Sequence, residues 1–218
     1  MGRLGQMFSR FRSARAGSDS QPEKPEELRE MRWVVAGLGN PGEQYHRSGH
    51  NIGFTVIDRL AEKCGARLDR RKFKGISGEA RIGPDSVILV KPQTYYNLSG
   101  ECVAALLGYY KIPAERLIVV HDEIDLEPRQ LRLKRGGGDG GHNGLKSITK
   151  SLGSKEYLRV RFGIGRPPGR QDPADFVLKP FSSAEAKELE LNVDRAADAV
   201  ESLLTGTLEA AQNLHHAA

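Results

Sequence analysis

The sequence has 218 residues, of which 38% are hydrophobic and 28% charged, a composition typical of a globular protein and not of a disordered one. This length fits one α/β domain better than two small domains, and no apolar run approaches the ~20 residues that cross a bilayer. The formal net charge of +5 is compatible with a polyanionic partner without establishing one.

Residues 1–30 differ in composition from the rest of the chain. Arginine, serine and glycine are frequent at the start, and a polar, glutamate-rich stretch with Pro22 and Pro25 follows. No apolar periodicity is visible, so we expect a disordered N-terminal extension. The early part is faintly similar to an organelle transit peptide. A dispensable extension, or a start codon placed too early, is favoured because Met31 directly precedes the first predicted strand.

From residue 31 to residue 218 the pattern predicts alternating strands and helices, hence a single α/β domain. The sheet is expected to be mixed and mostly parallel, with helices on both faces and with ligands at the carboxyl ends of its strands. Strands are predicted at Trp33–Ala36, Ser86–Val90, Leu117–Val120, Gln130–Lys134 and Arg159–Ile164, the last with its arginines outward. Helices are predicted at Asn51–Cys64, from Ser99 towards Pro113, from an Asn143 cap to Leu152, from a Ser182/Glu185 capping box to Gly206, and in a short final segment.

A glycine-rich turn, Gly37–Gly42, follows the first predicted strand and matches the G-x-G-x-x-G pattern of dinucleotide sites. That motif must run straight into a helix whose amides hold the pyrophosphate. Here Pro41 removes one amide and the next helix begins only near Asn51, so we reject dinucleotide binding. The turn instead presents the Asn40 side chain above a strand end.

Two polar residues stand immediately before predicted helices. His50 precedes the first helix, where a histidine is often a cap or a surface group, but a neutral imidazole is also the natural general base near pH 7. Asn97 lies between a strand end and a helix start, where a helix cap is plausible. Its amide could also grip a peptide backbone, since it offers both a donor and an acceptor.

Three carboxylates, those of Asp122, Glu123 and Asp125, come just past a buried strand. A turn acid or a magnesium ligand are the structural alternatives to a catalytic role. Alternation would point Asp122 and Glu123 in opposite directions, so one orienting carboxylate is favoured over a shared metal. Zinc-ligand spacing is absent from the sequence, and Cys64 and Cys102 are interpreted as reduced core thiols.

A second glycine-rich loop, Gly136–Gly144, permits close backbone approach to a ligand or forms a mobile lid. No Lys-Ser/Thr pair follows with Walker spacing, which excludes a P-loop. Asp139 would repel a phosphate placed at the loop itself. A G-x-S-x-G elbow is also missing, which disfavours a covalent serine mechanism.

Five of these stretches, in order between Met31 and about Leu214, resemble the bacterial-type peptidyl-tRNA hydrolase family. Each is weak alone, but together they are highly specific. The matching motifs are Gly37-Leu38-Gly39-Asn40-Pro41-Gly42, His50-Asn51-Ile52-Gly53, Tyr96-Asn97-Leu98-Ser99-Gly100, His121-Asp122-Glu123-Ile124-Asp125 and Gly140-Gly141-His142-Asn143-Gly144-Leu145-Lys146.

The resemblance implies hydrolysis of the ester that joins a peptide to the 3′ end of tRNA, without a metal or other cofactor, by a cytoplasmic monomer. It implies that His50 is the catalytic base and that Asp122 pairs with it. Substrate contacts are implied for Asn40, Tyr45, Tyr96, Asn97, His142 and Asn143, with Tyr45 and Tyr96 lining the peptide groove. From its chemistry alone, the amide of Asn40 or Asn97 is a candidate to stabilise the developing oxyanion, and Asn40 is predicted to be catalytic. The tRNA 5′-phosphate would be held by Lys134 and Arg161.

Two positions depart from the family pattern: Tyr96 stands where methionine is usual and Asp139 where histidine is frequent. Two other functions stay open at this point. Some plastid relatives with this fold act as RNA-splicing partners, although retention of His50 and Asp122 argues for an enzyme. A generic esterase is the third candidate, against which the cations Lys134 and Arg161 speak.

Overall fold

The computed structural model describes residues 32–46, 48–181 and 183–216, with the backbone alone for residues 183–187. Within these ranges the chain forms seven strands and six α-helices. The strands are β1 (Arg32–Gly37), β2 (Arg70–Lys72), β3 (Gly75–Ile82), β4 (Asp85–Pro92), β5 (Leu117–Glu123), β6 (Leu131–Arg135) and β7 (Leu158–Gly163). The helices are α1 (Ile52–Lys63), α2 (Ser99–Tyr110), α3 (Asn143–Leu152), α4 (Pro173–Val177), α5 (Ser183–Thr205) and α6 (Leu208–His215).

All seven strands form one sheet in the order β2-β3-β4-β1-β5-β7-β6. The four central strands β4, β1, β5 and β7 are parallel to one another, whereas β3 and β2 on one side and β6 on the other pair antiparallel. The predicted α/β class and mixed, centrally parallel sheet are therefore confirmed. Because the central strands are parallel, their carboxyl ends meet at one edge of the sheet.

Helices cover both faces of the sheet, as the alternation of strands and helices predicted. In β1 the side chains point alternately to the two faces. Val35 packs in a core cluster with Val56 of α1 and Val200 of α5. Its neighbour Val34 packs in the opposite cluster with Val103 of α2. Each face of the sheet therefore has its own hydrophobic core.

The hairpin β2–β3 was not predicted from the sequence. Its longer strand contains two glycines and no clear alternation of apolar and polar residues. Gly78 is required there because a Cβ atom would lie 2.2 Å from the carbonyl oxygen of Arg67. The capping box predicted at Ser182 and Glu185, and the extension predicted for residues 1–30, lie outside the described residues and side chains.

One prediction for β7 is wrong: its arginines do not both point to solvent. Arg159 is only 2% exposed. Its guanidinium donates through Nη1 to Gly138 O at 2.7 Å and through Nη2 to Gly137 O at 2.9 Å. The arginine therefore fastens the second glycine-rich loop to the sheet.

Both cysteines are free, as predicted, with Cys102 buried and Cys64 half-buried. Burial raises the pKa of the Cys102 thiol to about 12, so it stays protonated at neutral pH. Among the helices described, none has the length and apolar character that crossing a bilayer demands.

Candidate active site

Two neighbouring parallel strands bring polar side chains to one edge of the sheet. Gly37 at the end of β1 pairs with Val120 of β5, so the loop after β1 lies beside the end of β5. Asn40 is in that loop, and Asp122 is in β5 itself. The sequence pattern ended this strand at Val120, but pairing with β7 continues to Glu123. Asp122 and Glu123 are therefore held in place by the backbone pairing of β5 with β7.

The start of α1 packs against the same loop at backbone distance. A Cβ atom on Gly53 would lie 2.3 Å from the amide nitrogen of Leu38, so glycine permits the approach. Asn51 then links the segments, because Asn40 N donates to Asn51 Oδ1 at 2.8 Å and Asn51 Nδ2 donates to Asn40 O at 2.9 Å. These bonds fix the position of His50, which directly precedes Asn51.

His50 and Asp122 form a hydrogen-bonded pair, with His50 Nδ1 2.9 Å from Asp122 Oδ2. Burial acts to raise the pKa of the Asp122 carboxyl, but His50 and His142 outweigh it and hold that pKa well below its ordinary value. An ionised carboxylate only accepts, so Nδ1 of His50 carries the proton and Nε2 holds the free lone pair. This is the tautomer that a general base requires.

Tyr96 lies beneath the imidazole, which corrects its expected place in the wall of a peptide groove. It is 4% exposed, and its ring stacks on that of His50 with a centroid distance of 3.5 Å and an angle of 13°. Its hydroxyl donates to Asp122 Oδ1. Burial and the charge of Asp122 raise the pKa of Tyr96 well above its ordinary value. The phenol therefore keeps its proton and remains a donor.

The amide of Asn40 has a fixed orientation. The backbone amide of Tyr96 donates to Asn40 Oδ1 at 2.9 Å. Because that oxygen is engaged by a donor, the two N–H donors of Asn40 occupy the other end of the amide. Asn40 also lines the cavity described below, so it can offer a hydrogen-bond donor to a ligand there.

His142 caps α3, a role that the sequence assigned to Asn143. Leu145 N donates to His142 Nδ1 at 3.1 Å. The other ring nitrogen, Nε2, lies 3.0 Å from the hydroxyl of Tyr96 and 3.4 Å from Asp122 Oδ1. His142 thus belongs to the same polar network as His50, and Asn143 is free to face outward.

A cavity of about 430 Å³ opens in front of this network. Of the residues with an implied role, it is lined by Asn40, His50, Asp122, His142 and Asn143. Tyr45, Tyr96 and Asn97 do not line it, and the side chains of Tyr45 and Asn97 reach solvent instead.

Sequence reasoning missed the wall of this cavity that α4 and the preceding residue Asp172 supply. Asp172 Oδ1 accepts from Ala174 N at 2.8 Å, and Pro173 is the first helical residue. An aspartate cap followed by proline is a recognised start signal for a helix. That signal was present in the sequence and could have found α4.

A second cavity of about 230 Å³ is lined by both Lys134 and Arg161, among other residues. Lys134 of β6 pairs in register with Arg159 of β7, so Arg161 is its diagonal neighbour on the same sheet face. Arg161 is not a free cation, since its Nε and Nη2 donate to Glu123 Oε2 at 3.1 and 3.0 Å. Burial, Arg159 and Arg161 lower the pKa of Lys134.

Glu123 lines both cavities and therefore lies between the two. In the described part of the chain, no group of three or more histidine, cysteine, aspartate or glutamate side chains is arranged to hold a metal ion. The three acids that the sequence offered as magnesium ligands are paired with side chains of the protein. Asp122 pairs with His50, Glu123 with Arg161, and Asp125 with Arg166.

Comparison with known proteins places this chain in a family. The family model described as peptidyl-tRNA hydrolase matches residues 34–218. The chain belongs to the peptidyl-tRNA hydrolase family. The peptidyl-tRNA hydrolase of Nocardia farcinica is 57% identical over 184 residues, which cover 84% of this chain and 95% of the relative. That of Streptomyces coelicolor is 57% identical over 190 residues, covering 84% and 94%.

A solved structure agrees with this assignment. The crystal structure of peptidyl-tRNA hydrolase from Acinetobacter baumannii matches with a TM-score of 0.80 at 38% identity, covering 86% of this chain and 96% of that one. The resemblance seen in the five sequence motifs is thereby confirmed. Because these peptidyl-tRNA hydrolase relatives are hydrolases by name, the chain is an enzyme of that class.

Proposed function

We propose that the chain hydrolyses the ester bond between a peptide and the 3′ end of tRNA, with His50 as the general base on water. The observation that carries this proposal is the bond of His50 Nδ1 to Asp122 Oδ2 at 2.9 Å. It leaves the lone pair of Nε2 at the wall of a cavity that His50 lines. A positioned base of this kind contributes on the order of 10²–10⁴-fold to rate.

The reaction needs one base because an aminoacyl ester is activated. His50 Nε2 takes a proton from water while the water oxygen bonds to the ester carbonyl carbon. The tetrahedral intermediate then collapses, the bond from that carbon to the ribose oxygen breaks, and the imidazolium returns its proton to the leaving oxygen. The products are a free peptide acid and tRNA. Asp122 stays ionised and stabilises the imidazolium between the two proton transfers.

We assign stabilisation of the intermediate's oxyanion to Asn40. Its Oδ1 is engaged by the amide of Tyr96, which leaves its N–H groups as donors at the cavity wall. Loss of one such donor costs on the order of 10²–10³-fold in other acyl-transfer enzymes. Asn97 is exposed and does not line the cavity, so the geometry favours Asn40 for this role.

The peptide is proposed to occupy the larger cavity. His142 and Asn143 offer polar groups on one wall, and Val177 and Leu178 offer apolar surface on another. Tyr45 and Asn97 have solvent-facing side chains and would contact the substrate outside that cavity.

The tRNA end is proposed to lie over the second cavity, where Lys134 and Arg161 contact the 5′-phosphate. A terminal phosphate carries more charge than a phosphodiester, and arginine can bind it through two hydrogen bonds while lysine acts as a point charge. Arg161 must first exchange its bond to Glu123 for the phosphate. Asp139, which lines the same cavity, keeps a carboxylate near that site.

We further infer that the enzyme works as a cytoplasmic monomer without a bound cofactor. Two free cysteines, one of them fully buried, fit a reducing compartment. Light scattering coupled to size-exclusion chromatography tests the oligomeric state, and a particle of twice the chain mass would contradict the proposal.

The activity is tested by incubating the purified chain with an N-acetylaminoacyl-tRNA and measuring the release of tRNA that can be charged again. Unblocked aminoacyl-tRNA is the matched control, since it presents the same ester and the same RNA. Release from the N-blocked substrate supports the proposal. A chain that is folded by circular dichroism yet leaves the N-blocked ester intact would refute it.

A further inference from the structure

The hydroxyl of Tyr96 is the centre of the polar network below His50. It donates to Asp122 Oδ1 and lies 3.0 Å from His142 Nε2. The other carboxylate oxygen, Asp122 Oδ2, is bonded to His50. One carboxylate is thus shared between a phenol and an imidazole, while the same phenol ring stacks on that imidazole.

The protons of this network can be assigned from one fixed donor. The backbone amide of Leu145 can only donate, so His142 Nδ1 is an acceptor and the proton of a neutral His142 is on Nε2. That Nε2–H donates to the Tyr96 oxygen, the Tyr96 O–H donates to Asp122, and His50 Nδ1–H donates to the other carboxylate oxygen. Every bond then points towards Asp122, from the start of α3 on one side and from His50 on the other.

We propose that Tyr96 is a positioning residue that sets how strongly Asp122 holds the protonated form of His50. This inference rests on the proposed function, in which His50 is the base. The phenol donates a hydrogen bond that draws on the negative charge of Asp122 and fixes the orientation of this carboxylate. Its ring stacks on His50 and fixes the plane of the imidazole. Tyr96 does not line the cavity and therefore acts on the reaction only through its neighbours.

The physical consequence has a definite sign. A hydrogen bond donated to a carboxylate stabilises its charged form and draws on its negative charge, so the carboxylate attracts a second, positively charged partner less strongly. Without the phenol, Asp122 binds the imidazolium more strongly, so His50 takes up a proton at higher pH. A protonated His50 cannot accept a proton from water, so activity is lost from a higher pH downward.

The phenol itself stays a donor throughout this range. Burial and Asp122 raise the pKa of Tyr96, whereas the nearby histidines hold the pKa of Asp122 low, so neither group changes charge near neutral pH. The groups that face His50 or its partners from the surrounding elements are Asp122, Glu123 and His121 of β5, Tyr96 before α2, His142 before α3 and Asp172 before α4.

The test is the substitution Tyr96→Phe, which keeps the stacked ring and removes the hydroxyl. The acid limb of kcat/KM against pH is expected to move upward by about 0.5–1 pH unit, while KM for peptidyl-tRNA stays within about twofold. Tyr96→Met, which places the usual residue of the family there, removes the hydroxyl together with the ring and is expected to move the acid limb in the same direction.

Tyr157→Phe is the matched control. Tyr157 is another buried tyrosine of the same core cluster, and its hydroxyl bonds to Thr149 Oγ1 at 2.9 Å and to Leu145 O at 3.4 Å rather than to Asp122 or His50. This control should lose a comparable amount of stability and leave the acid limb in place. If the limb of Tyr96→Phe also stays in place, or if KM alone rises, Tyr96 is a structural or groove residue and the inference is overturned.

A second readout separates this inference from the proposed function. The ring C–H signals of His50, assigned with a His50→Asn variant, can be titrated by NMR in the wild type and in Tyr96→Phe. The midpoint should rise in Tyr96→Phe and not in Tyr157→Phe, whether or not the chain cleaves peptidyl-tRNA. Coincident titrations would refute the role of Tyr96 even in an active enzyme.

Discussion

His50 and Asp122 are 72 residues apart in the chain, yet the Nδ1 atom of one lies 2.9 Å from the Oδ2 atom of the other. The parallel pairing of β1 with β5 places the segment after β1 beside Asp122, and Asn51 holds His50 there. The base, directly before α1, and its orienting carboxylate, in β5, therefore meet at one edge of the sheet.

His50→Ala is expected to lower turnover by about 10²–10⁴-fold, because it removes the only proposed general base. Binding of the tRNA ester should survive, since the other residues that line the two cavities stay in place. Single-turnover assays and a filter-binding titration measure the two properties. His46→Ala is the control, because His46 is exposed on the same loop. Turnover near that of the wild type would refute the assignment.

Removing Lys134 or Arg161, the two residues proposed to contact the 5′-phosphate, is expected to weaken tRNA binding more than it slows ester cleavage. Lys134→Ala should raise KM for full-length peptidyl-tRNA and barely change cleavage of a short substrate that lacks the 5′ end. Removing one cation that binds a phosphate should flatten the slope of log K against log salt by roughly 0.7–0.9. Lys155→Ala, which removes an exposed cation elsewhere, should change neither quantity.

Arg161 needs a paired substitution, because Arg161→Ala alone would leave the Glu123 carboxylate without its ion-pair partner. Arg161→Ala is therefore combined with Glu123→Gln. This pair should behave as Lys134→Ala does. An equal loss of activity on the full-length and the short substrate would mean that these residues are structural or catalytic.

His121 should make the fold less stable at acidic pH. Burial and the nearby His142 lower the pKa of His121 well below its ordinary value of 6.5, so the folded state holds it neutral while the unfolded state takes up a proton. Stability therefore falls as pH decreases below about 6.5, by up to about 1.4 kcal/mol per pH unit for this group.

The test is urea unfolding at three pH values between 7.5 and 5 for the wild type and for His121→Asn. The variant keeps a donor near the carbonyl of Asp122, which accepts from His121 Nδ1 at 2.7 Å, but does not titrate. Its stability should decline less steeply as pH falls, whereas His46→Asn should follow the wild type. Parallel curves for His121→Asn and the wild type would contradict the prediction.

Activity is expected to survive prolonged treatment with EDTA. Asp122 and Glu123 are paired with the side chains of His50 and Arg161. The described residues offer no cluster of metal ligands. An N-acetylaminoacyl-adenosine is the suitable substrate, because it needs no magnesium to fold. Loss of activity on chelation, with rescue by added Mg²⁺ or Zn²⁺, would make the acids of β5 a metal site.

A chain that starts at Met31 should keep its melting temperature and its activity. The reason is compositional, since residues 1–30 show no apolar periodicity that could contribute to a core. Differential scanning fluorimetry and the tRNA-release assay measure the two properties. A large fall in either would show that this segment stabilises the domain.

The strands and helices that could be predicted are those with strong local signals. β5 is a continuous apolar run, and α1 has apolar residues at helical spacing with a glycine after it, so their existence follows from the sequence. β3 has no such signal, because two of its positions are glycines: Gly78 admits the backbone of Arg67, and Gly75 admits the side chain of Cys102. β5 was predicted too short because its polar end is held by pairing with β7.

The sequence by itself determined the α/β class, the five motifs that carry the family resemblance, and the residue types available for catalysis. These depend on local periodicity, turn residues and residue identity, which a linear sequence displays directly. Only the tertiary structure decided that Tyr96 lies beneath His50, that Arg159 is buried against the loop carbonyls, and that Arg161 pairs with Glu123. Each of these depends on which polar groups meet across the sheet, and a buried polar side chain takes the position where its donors and acceptors are satisfied.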